Sequence, residues 1–514
     1  METQKKKQLF LGAVLSYVAL FVQCLSNLIY TPIILKSLGQ NEYGIYSLCL
    51  SFVSYLTIFN SGVNAAYIRF YVQKVTTDPD KVSDLNGIFV KIFSFLSIVG
   101  LLAGLILSFK AEAIFGTKLS SSDYTLLKTL FFILSFTTAV TIIDCIFSSL
   151  VIAHERFVIA KAVNLFKSII IPIIGIPMLL NGYGSIALFL ITFCIVLATT
   201  VFNALYCFIG LQVRINFKYF NKTLFKAIVV FAGAIVIQGI MDLLNWQIDK
   251  FILARVQGAV EVSIYSVGSF LNIFYISVST CLSSVFIAEV NRLVALKKDK
   301  ELSDLFIRTS RIFTYILVLV MSGYCIFGKA FIIVWAGAEY ENSFYVGLLT
   351  MLPVTFSIAL GLGLDILRAK NVHIRQIMYT IIVCIFNFLI SIPLAIKYGA
   401  IGSAFGTFLS LIVICVIMLP PYYQKYAHLD MKACYYQLLL LIPGFIIPFS
   451  FGFILNHLGI VENNYVSIIM YATVYTVIYL ISVYFISMNA YEKGLVNRIF
   501  RKILEITRIN YFFP

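Results

Sequence analysis

Three aspartates interrupt long apolar stretches of the sequence. Asp144, Asp242 and Asp365 each lie inside a stretch long enough to cross a bilayer as a helix. A charge near the centre of such a helix costs roughly 2.5–3.5 kcal/mol on insertion scales, so each aspartate should face protein or a water-filled cavity. Asp365 precedes Arg368 by three residues, and we predict a local ion pair between them. Asp144 has no partner nearby in the sequence, so a cavity-facing role and a helix-packing role both stay open.

A polar stripe surrounds Asp242. Gln238, Asp242, Asn245, Trp246 and Asp249 recur at i, i+4, i+7, i+8 and i+11, which places them on one face of a helix. Asp242 could bind a proton or Na⁺ and so respond to an ion gradient, and Asp144 and Asp249 are further candidates for ion coupling. Alternatively, Asp242 makes a polar contact between helices and Asp249 marks the outer water interface.

Cations near the ends of apolar stretches could bind an anionic ligand. Arginine suits a phosphate group through bidentate hydrogen bonds, and lysine suits it as a point charge. Lys167 stands out because it lies about nine residues into its apolar stretch, roughly 13 Å by the helical rise, beyond easy reach of the headgroups. The other candidate cations are Lys161, Arg69, Lys91, Arg308 and Arg311. The alternative for these five is that they only orient the chain in the membrane.

The sequence contains two further candidate ligands and lacks the common catalytic motifs. Asn60 and Asn64 lie four residues apart and could hydrogen-bond sugar hydroxyls or a neighbouring helix. No ATP-binding, zinc-protease or serine-hydrolase motif occurs in a credible setting. The ten cysteines and four histidines show no metal-ligand spacing. We therefore expect no catalytic residue, no metal and no cofactor.

The composition places these residues in a membrane protein. Of the 514 residues, 61% are hydrophobic and 12% are charged, whereas a typical soluble domain has roughly 25% charged residues. So little charge cannot cover a soluble surface of this size, which excludes a soluble enzyme, a disordered chain and a soluble nucleic-acid-binding protein. Fourteen apolar segments of transmembrane length between residues 10 and 487 predict an all-α polytopic membrane protein.

The net charge of +15 is explained by topology. If the N-terminus is cytoplasmic, 30 of the 38 Lys and Arg residues fall at cytoplasmic ends and connections, and 8 fall on the other side. This is the positive-inside pattern, and it predicts a multi-pass membrane protein with both termini in the cytoplasm. The first apolar segment follows Lys5, Lys6 and Lys7 and is interpreted as a retained signal-anchor. No nucleic-acid partner is needed to explain the charge.

An internal repeat divides the chain. Leu38–Ser47 resembles Gln257–Ser266 at an offset of 219, and Asn181–Ala187 resembles Lys397–Ala404 at an offset of about 215. Each repeat would hold six spans of the same orientation, as in transporters that work by alternating access. We predict an N-terminal lobe at 1–212, a C-terminal lobe at 213–422, and two appended spans with a basic cytoplasmic tail at 423–514.

These features resemble a known family. The plan of six, six and two spans, the turn Leu38-Gly39-x-x-Glu42-Tyr43-Gly44-Ile45-Tyr46-Ser47 and the stretch Tyr398-Gly399-Ala400-Ile401-Gly402-Ser403-Ala404 are similar to the polysaccharide transporters. These are the O-antigen and capsule-repeat flippases of the multidrug/oligosaccharidyl-lipid/polysaccharide superfamily. The resemblance implies a flippase of the bacterial inner membrane that transports an oligosaccharide on undecaprenyl pyrophosphate. It also implies coupling to H⁺ or Na⁺, contact with membrane lipids, and contacts with other glycan-assembly proteins.

Two other functions stay open. A multidrug or small-cation exporter of the same superfamily should have an acidic cavity, whereas cations outnumber acids among the candidate residues here. A membrane glycosyltransferase or polysaccharide polymerase would place catalytic residues on a long outer loop. The longest outer loop predicted, at about 110–126, is too short for that.

Overall fold

The computed structural model describes residues 2–116, 118–218, 221–370, 372 and 374–509. For 2–14, 16, 17, 20, 56, 234, 278–285, 374, 375, 377, 499, 500 and 502–509 it describes only the backbone. The side chains of Lys5, Lys6 and Lys7 therefore lie outside the described part of the chain.

The described residues form α-helices joined by short turns and contain no β-strand. The sixteen helices found there are α1 (Glu2–Thr77), α2 (Val82–Phe115), α3 (Ser121–Ala153), α4 (Phe157–Leu180), α5 (Ser185–Leu205), α6 (Lys222–Val256), α7 (Ala259–Ala295), α8 (Asp299–Trp335), α9 (Ser343–Ala359), α10 (Leu362–Ala369), α11 (Ile374–Ile412), α12 (Leu419–Tyr422), α13 (Met431–Leu439), α14 (Ile442–His457), α15 (Tyr465–Ser482) and α16 (Ala490–Ile509). The predicted all-α polytopic class is confirmed.

The number of membrane crossings depends on how bent helices are counted. Within the described residues, ten helices are long and apolar enough to cross a membrane, or up to twelve if each of two bent pairs is one span. Two of the ten, Phe21–Thr77 and Met378–Ala427, are 57 and 50 residues long, whereas about 20 residues suffice for one crossing. Each changes direction at a glycine with positive φ, 70° at Gly39 and 60° at Gly399. If each of these two long helices crosses twice, and each bent pair is one span, the total is fourteen crossings. This number stays a prediction.

The chain divides into two compact units. The first contains Met1–Ser266 and Phe388–Ser403, and the second contains Val267–Asn387 and Ala404–Pro514. In the first unit, aromatic and aliphatic side chains of α1, α2 and α3 form a buried core around Phe89 and Phe93. The second unit has one core around Phe306 and another that joins α8 to α14 and α15. The predicted lobe boundaries at 212 and 422 stay a prediction.

Two glutamates at equivalent positions of the repeat make the same contact in the first unit. Glu42 Oε1 accepts a hydrogen bond from the backbone N–H of Ser185 at 2.6 Å, and Glu261 Oε2 accepts one from Ala400 at 2.6 Å. Each carboxylate thus satisfies an orphan amide at the positive end of a second helix. In each repeat, the first of the two recurring segments therefore contacts the second one, and equivalent residues make equivalent contacts. This supports the internal repeat.

A third pair of equivalent residues forms a contact of its own. Ser47 and Ser266 are buried and hydrogen-bond each other through their hydroxyls at 2.7 Å. A contact between equivalent residues lies on a symmetry axis, so this pair marks the local axis of the repeat. Close by, a Cβ atom at Gly44 would lie 1.9 Å from the carbonyl oxygen of Ala259. Only glycine fits where α1 approaches α7 so closely.

Candidate functional site

Asp144 and Lys167 form an ion pair inside the first unit. Asp144 lies on α3, which begins at a reciprocal capping pair of Ser120 and Asp123, and Lys167 lies on α4. Lys167 Nζ donates to Asp144 Oδ2 at 2.9 Å, and Asn203 Nδ2 on α5 donates to Asp144 Oδ1 at 2.8 Å. Both carboxylate oxygens therefore accept a hydrogen bond, and side chains of three helices meet at this one group.

The two partners of the ion pair differ in access. The side chain of Asp144 is 10% exposed and that of Lys167 is 21% exposed. An ammonium group has three N–H donors, and within the described residues Asp144 is the partner that Lys167 finds. Two donors and the exposed part of the ammonium are therefore available to an anion, while the carboxylate is already satisfied.

Two sequence predictions meet in this pair, because Lys167 is a candidate anion ligand and Asp144 a candidate for ion coupling. The pairing explains how both charges persist within apolar helices, since a buried charge is costly unless it is paired and hydrogen-bonded. The sequence contained a usable signal for it. Asp144 lies nine residues before the end of α3 at Ala153, and Lys167 lies ten residues after the start of α4 at Phe157. Helices joined by so short a turn run antiparallel, which brings these residues to the same depth.

The two asparagines have different surroundings. Asn64 Oδ1 accepts a hydrogen bond from Ser149 Oγ on α3 at 2.8 Å. Of the two alternatives for Asn64, the structure therefore shows the hydrogen bond to a neighbouring helix. Asn60 is 6% exposed, and its Oδ1 has no hydrogen-bond partner among the described residues. A buried oxygen without a donor is unfavourable, and the interpretation of Asn60 as a ligand of sugar hydroxyls stays a prediction.

The polar stripe on α6 runs from an exposed to a buried part of the helix. Gln238 Nε2 donates to Asp242 Oδ1 at 3.2 Å, which confirms that these two residues share a face. Asp242 is exposed, whereas Asp249 is completely buried. Asp249 accepts hydrogen bonds from the hydroxyls of Tyr265 at 2.7 Å and Ser403 at 2.6 Å. Asp249 therefore faces protein and not water, and its role in ion coupling stays a prediction.

Four of the candidate cations are distributed over four helices. Arg69 on α1 is exposed, with its guanidinium 4.5 Å from the ring centre of Phe231. Lys91 on α2 is exposed beside an apolar cavity of about 330 Å³ that α1, α2 and α6 also line. Lys161 is half-buried on α4, and Arg308 on α8 is exposed, 5.4 Å from a tyrosine ring of α16. Exposure leaves the charges of Arg69, Lys91 and Arg308 accessible.

Arg311 is held in a buried network of the second unit. It is 3% exposed, and its Nε and Nη2 donate to the two carboxylate oxygens of Glu492 at 2.6 and 2.9 Å. Its Nη1 donates to the backbone and side-chain oxygens of Gln437, and Nη2 also reaches the Ser487 carbonyl oxygen and the Tyr315 hydroxyl. An arginine has five N–H donors. All are engaged here, so none is left for the pyrophosphate that the sequence assigned to Arg311.

Two smaller results complete the site. The predicted local ion pair of Asp365 is confirmed, with its Oδ1 3.3 Å from Arg368 Nη1. Within the part of the chain that the structure describes, no three His, Cys, Asp or Glu side chains are arranged to hold a metal ion.

A comparison with protein families places this arrangement in context. A family model with the description "Polysaccharide biosynthesis protein" matches residues 36–345, which is more than half of the chain and includes Asp144 and Lys167. The chain belongs to this family. The resemblance inferred from the two sequence motifs is thereby confirmed.

Three proteins similar to this chain are named as transporters or flippases. The chain is 23% identical over 404 residues to a Shigella flexneri protein named "Putative O-antigen transporter", covering 75% of this chain and 91% of the relative. Its fold is similar to that of "Lipid II flippase MurJ, inward closed conformation" (TM-score 0.71, 18% identity, 91% of this chain and 98% of the other). It is also similar to an inward-facing multidrug resistance MATE family transporter of the MOP superfamily (TM-score 0.67, 10% identity, 80% and 96%).

Sequence reasoning missed two residues that the structure makes important. Asn203 holds the second oxygen of Asp144, and its signal is a carboxamide within an apolar stretch, of the same kind that selected Asp144. Glu492 binds Arg311, and its signal is the spacing Asn489-x-x-Glu492, a capping-box pattern. Both lie far from their partners in the sequence, so their contacts depend on tertiary packing.

Proposed function

We propose that this protein is a flippase for an oligosaccharide linked to undecaprenyl pyrophosphate. It would carry this lipid from the cytoplasmic to the periplasmic leaflet of the bacterial inner membrane by alternating access. Both termini would be cytoplasmic, and no bond of the substrate would be made or broken, so the protein would not be an enzyme. The family, the name of the Shigella relative and the transporter fold support this proposal.

The main support for the proposal is Lys167, which lies within an apolar helix and has N–H donors that Asp144 does not use. Lys167 is oriented by a buried carboxylate and keeps part of its ammonium accessible. A charge-assisted hydrogen bond to a pyrophosphate oxygen is the interaction that such a group makes best. Asn60 would accept a hydrogen bond from a sugar hydroxyl, which would satisfy its otherwise unpartnered oxygen.

The other candidate residues receive supporting roles. Lys161, Arg69, Lys91 and Arg308 would attract the anionic lipid toward the protein by their positive field. Asn64 and Arg311 are not assigned to substrate, because each is already engaged within its own unit. A cation exporter is less well supported, since the accessible partner of the Asp144–Lys167 pair is the lysine.

A leaflet assay tests the proposal. Deleting the gene should stop surface-glycan export and cause the lipid-linked oligosaccharide to accumulate. Purified protein in proteoliposomes should then make that extracted lipid, loaded in one leaflet, accessible to a lectin on the opposite side. An unchanged lectin signal with and without the protein would contradict the flippase assignment.

Ion coupling at Asp242 makes a separate prediction. Asp242 is exposed on α6 and hydrogen-bonded to Gln238, so a proton or Na⁺ could reach it. The substitution Asp242→Asn keeps the side-chain size and removes the titratable charge. We expect flipping by this variant to lose its dependence on an imposed proton or sodium gradient. If the gradient dependence is unchanged, the coupling site is not Asp242, and Asp144 and Asp249 become the residues to test.

A further inference from the structure

The start of the C-terminal helix is fixed by an unusual concentration of polar contacts. The chain leaves the membrane-spanning α15, becomes extended at Met488 (φ −72°, ψ 132°), and begins α16 at Ala490. Asn489 and Glu492 exchange hydrogen bonds between side chain and backbone at 2.9 Å each way. Glu492 is also bound by Arg311 and the hydroxyl of Tyr315. The first turn of α16 is therefore anchored in the second unit.

Beyond this anchor the helix is exposed and basic. Val496, Asn497, Arg498 and Arg501 are all exposed. The helix sequence carries five cations, Lys493, Arg498, Arg501, Lys502 and Arg508, and two acids, Glu492 and Glu505. Because the charge of Glu492 is neutralised by Arg311, the remainder of α16 is strongly positive.

The apolar residues of α16 recur with the period of a helix. Leu495, Ile499, Ile503 and Ile506 fall at i, i+4, i+8 and i+11, on the side of the helix on which Glu492 lies. With seven charged residues among twenty, this helix cannot span a bilayer. A helix with an apolar stripe and a cationic side is typical of segments that lie in the interface of an anionic membrane.

We propose that α16 is a surface anchor that binds the headgroups of anionic phospholipids, with the exposed side chains of Arg498 and Arg501 among its ligands. Two observations favour a lipid surface over a protein partner. The helix starts within eight residues of the end of a membrane-spanning helix, and its cations match the charge of acidic headgroups. This inference is independent of the substrate that the protein carries.

Hydrogen–deuterium exchange of the full-length protein tests the proposal. The protein would be placed in nanodiscs of phosphatidylcholine alone and of phosphatidylcholine with phosphatidylglycerol. We expect amide exchange in 490–509 to be about tenfold slower in the anionic discs, because several cations each gain favourable energy near the surface. High salt should remove most of this difference by screening.

Two matched triple variants separate lipid binding from other causes. R498Q/R501Q/K502Q should lose the lipid-dependent protection, whereas K297Q/K298Q/K300Q, which removes three exposed cations at the turn between α7 and α8, should keep it. An unchanged melting temperature of the first variant would show that the anchor at Glu492 is intact. Equal exchange in both kinds of disc would overturn the proposal, and protection independent of lipid would indicate a protein contact instead.

Discussion

Lys167→Glu is expected to abolish glycan export while the protein remains in the membrane. The substitution replaces the partly exposed cation of the Asp144–Lys167 pair by an anion next to Asp144, whose Oδ2 lies 2.9 Å from Lys167 Nζ. The two adjacent carboxyl groups would carry like charges, which disfavour each other at this distance. Loss of a charge-assisted hydrogen bond worth about 2 kcal/mol corresponds to roughly 30-fold weaker binding of the pyrophosphate. Repulsion by the new acid adds to this loss.

A neutral double variant distinguishes binding from stability. Lys167→Met alone leaves Asp144 buried without its counter-charge, so a loss of export could reflect misfolding. In Asp144→Leu/Lys167→Met both charges are absent, and replacing a buried ion pair by apolar residues is often neutral or stabilising. We expect this double variant to have a higher melting temperature than Lys167→Met alone, because no unpaired charge remains and only the amide donor of Asn203 loses its acceptor. It should still fail in flipping.

The same assays contain the result that would contradict the assignment. If Asp144→Leu/Lys167→Met exports glycan like the wild type, the pair has only a structural role and Lys167 does not bind substrate. Lys300→Gln is the matched control for the loss of one cation, since Lys300 is exposed near the start of α8. Lys167→Arg, which keeps the charge, should retain part of the flipping activity in proteoliposomes.

The fold was largely predictable because it depends on one-dimensional patterns. Apolar stretches of bilayer length predict helices irrespective of their neighbours, and the alternation of lysine and arginine predicts their connections. The repeat was predictable for a related reason, since the turn at Glu42 and the turn at Glu261 must make the same backbone contacts. The count of crossings was harder, because Gly39 and Gly399 bend helices that continue on both sides.

The partners of the charged residues were harder to predict, because they depend on the rotation of each helix about its own axis. Depth along the chain places Asp144 level with Lys167, but which faces meet is decided by side-chain packing among α3, α4 and α5. For Arg311 the prediction itself was wrong. Its type and position suit a phosphate ligand, yet its guanidinium is already bound by the carboxylate of Glu492, which lies 181 residues away in the sequence. A cation selected by depth alone can therefore belong to a ligand site or to a structural network.

Arg311→Met is expected to destabilise the second unit strongly. It leaves Glu492, whose side chain is 4% exposed, without its counter-charge, and breaking a buried pair from one side typically costs about 3–5 kcal/mol. The melting temperature in detergent should fall, and exchange of the amides in 490–509 should become faster because the anchor of α16 is lost. The matched variant Lys300→Met removes an exposed cation near the start of the same helix, α8, and should change neither quantity.

The pH dependence of this effect has a definite sign. Burial by itself would raise the pKa of Glu492, but hydrogen bonds from Arg311 and from the Asn489 amide outweigh it, so the pKa lies below the ordinary value of 4.5. A group whose pKa is lowered by folding stabilises the folded state above its unfolded pKa and loses that contribution as the pH falls through its folded pKa. The difference in melting temperature between wild type and Arg311→Met should therefore be constant near neutral pH and shrink in acid.

In a double-mutant cycle, Arg311→Met/Glu492→Leu should be more stable than Arg311→Met alone, because no unpaired charge remains buried. If the two single substitutions instead add, or if the difference persists at a pH below the folded pKa, the stability of this region does not come from the Arg311–Glu492 pair.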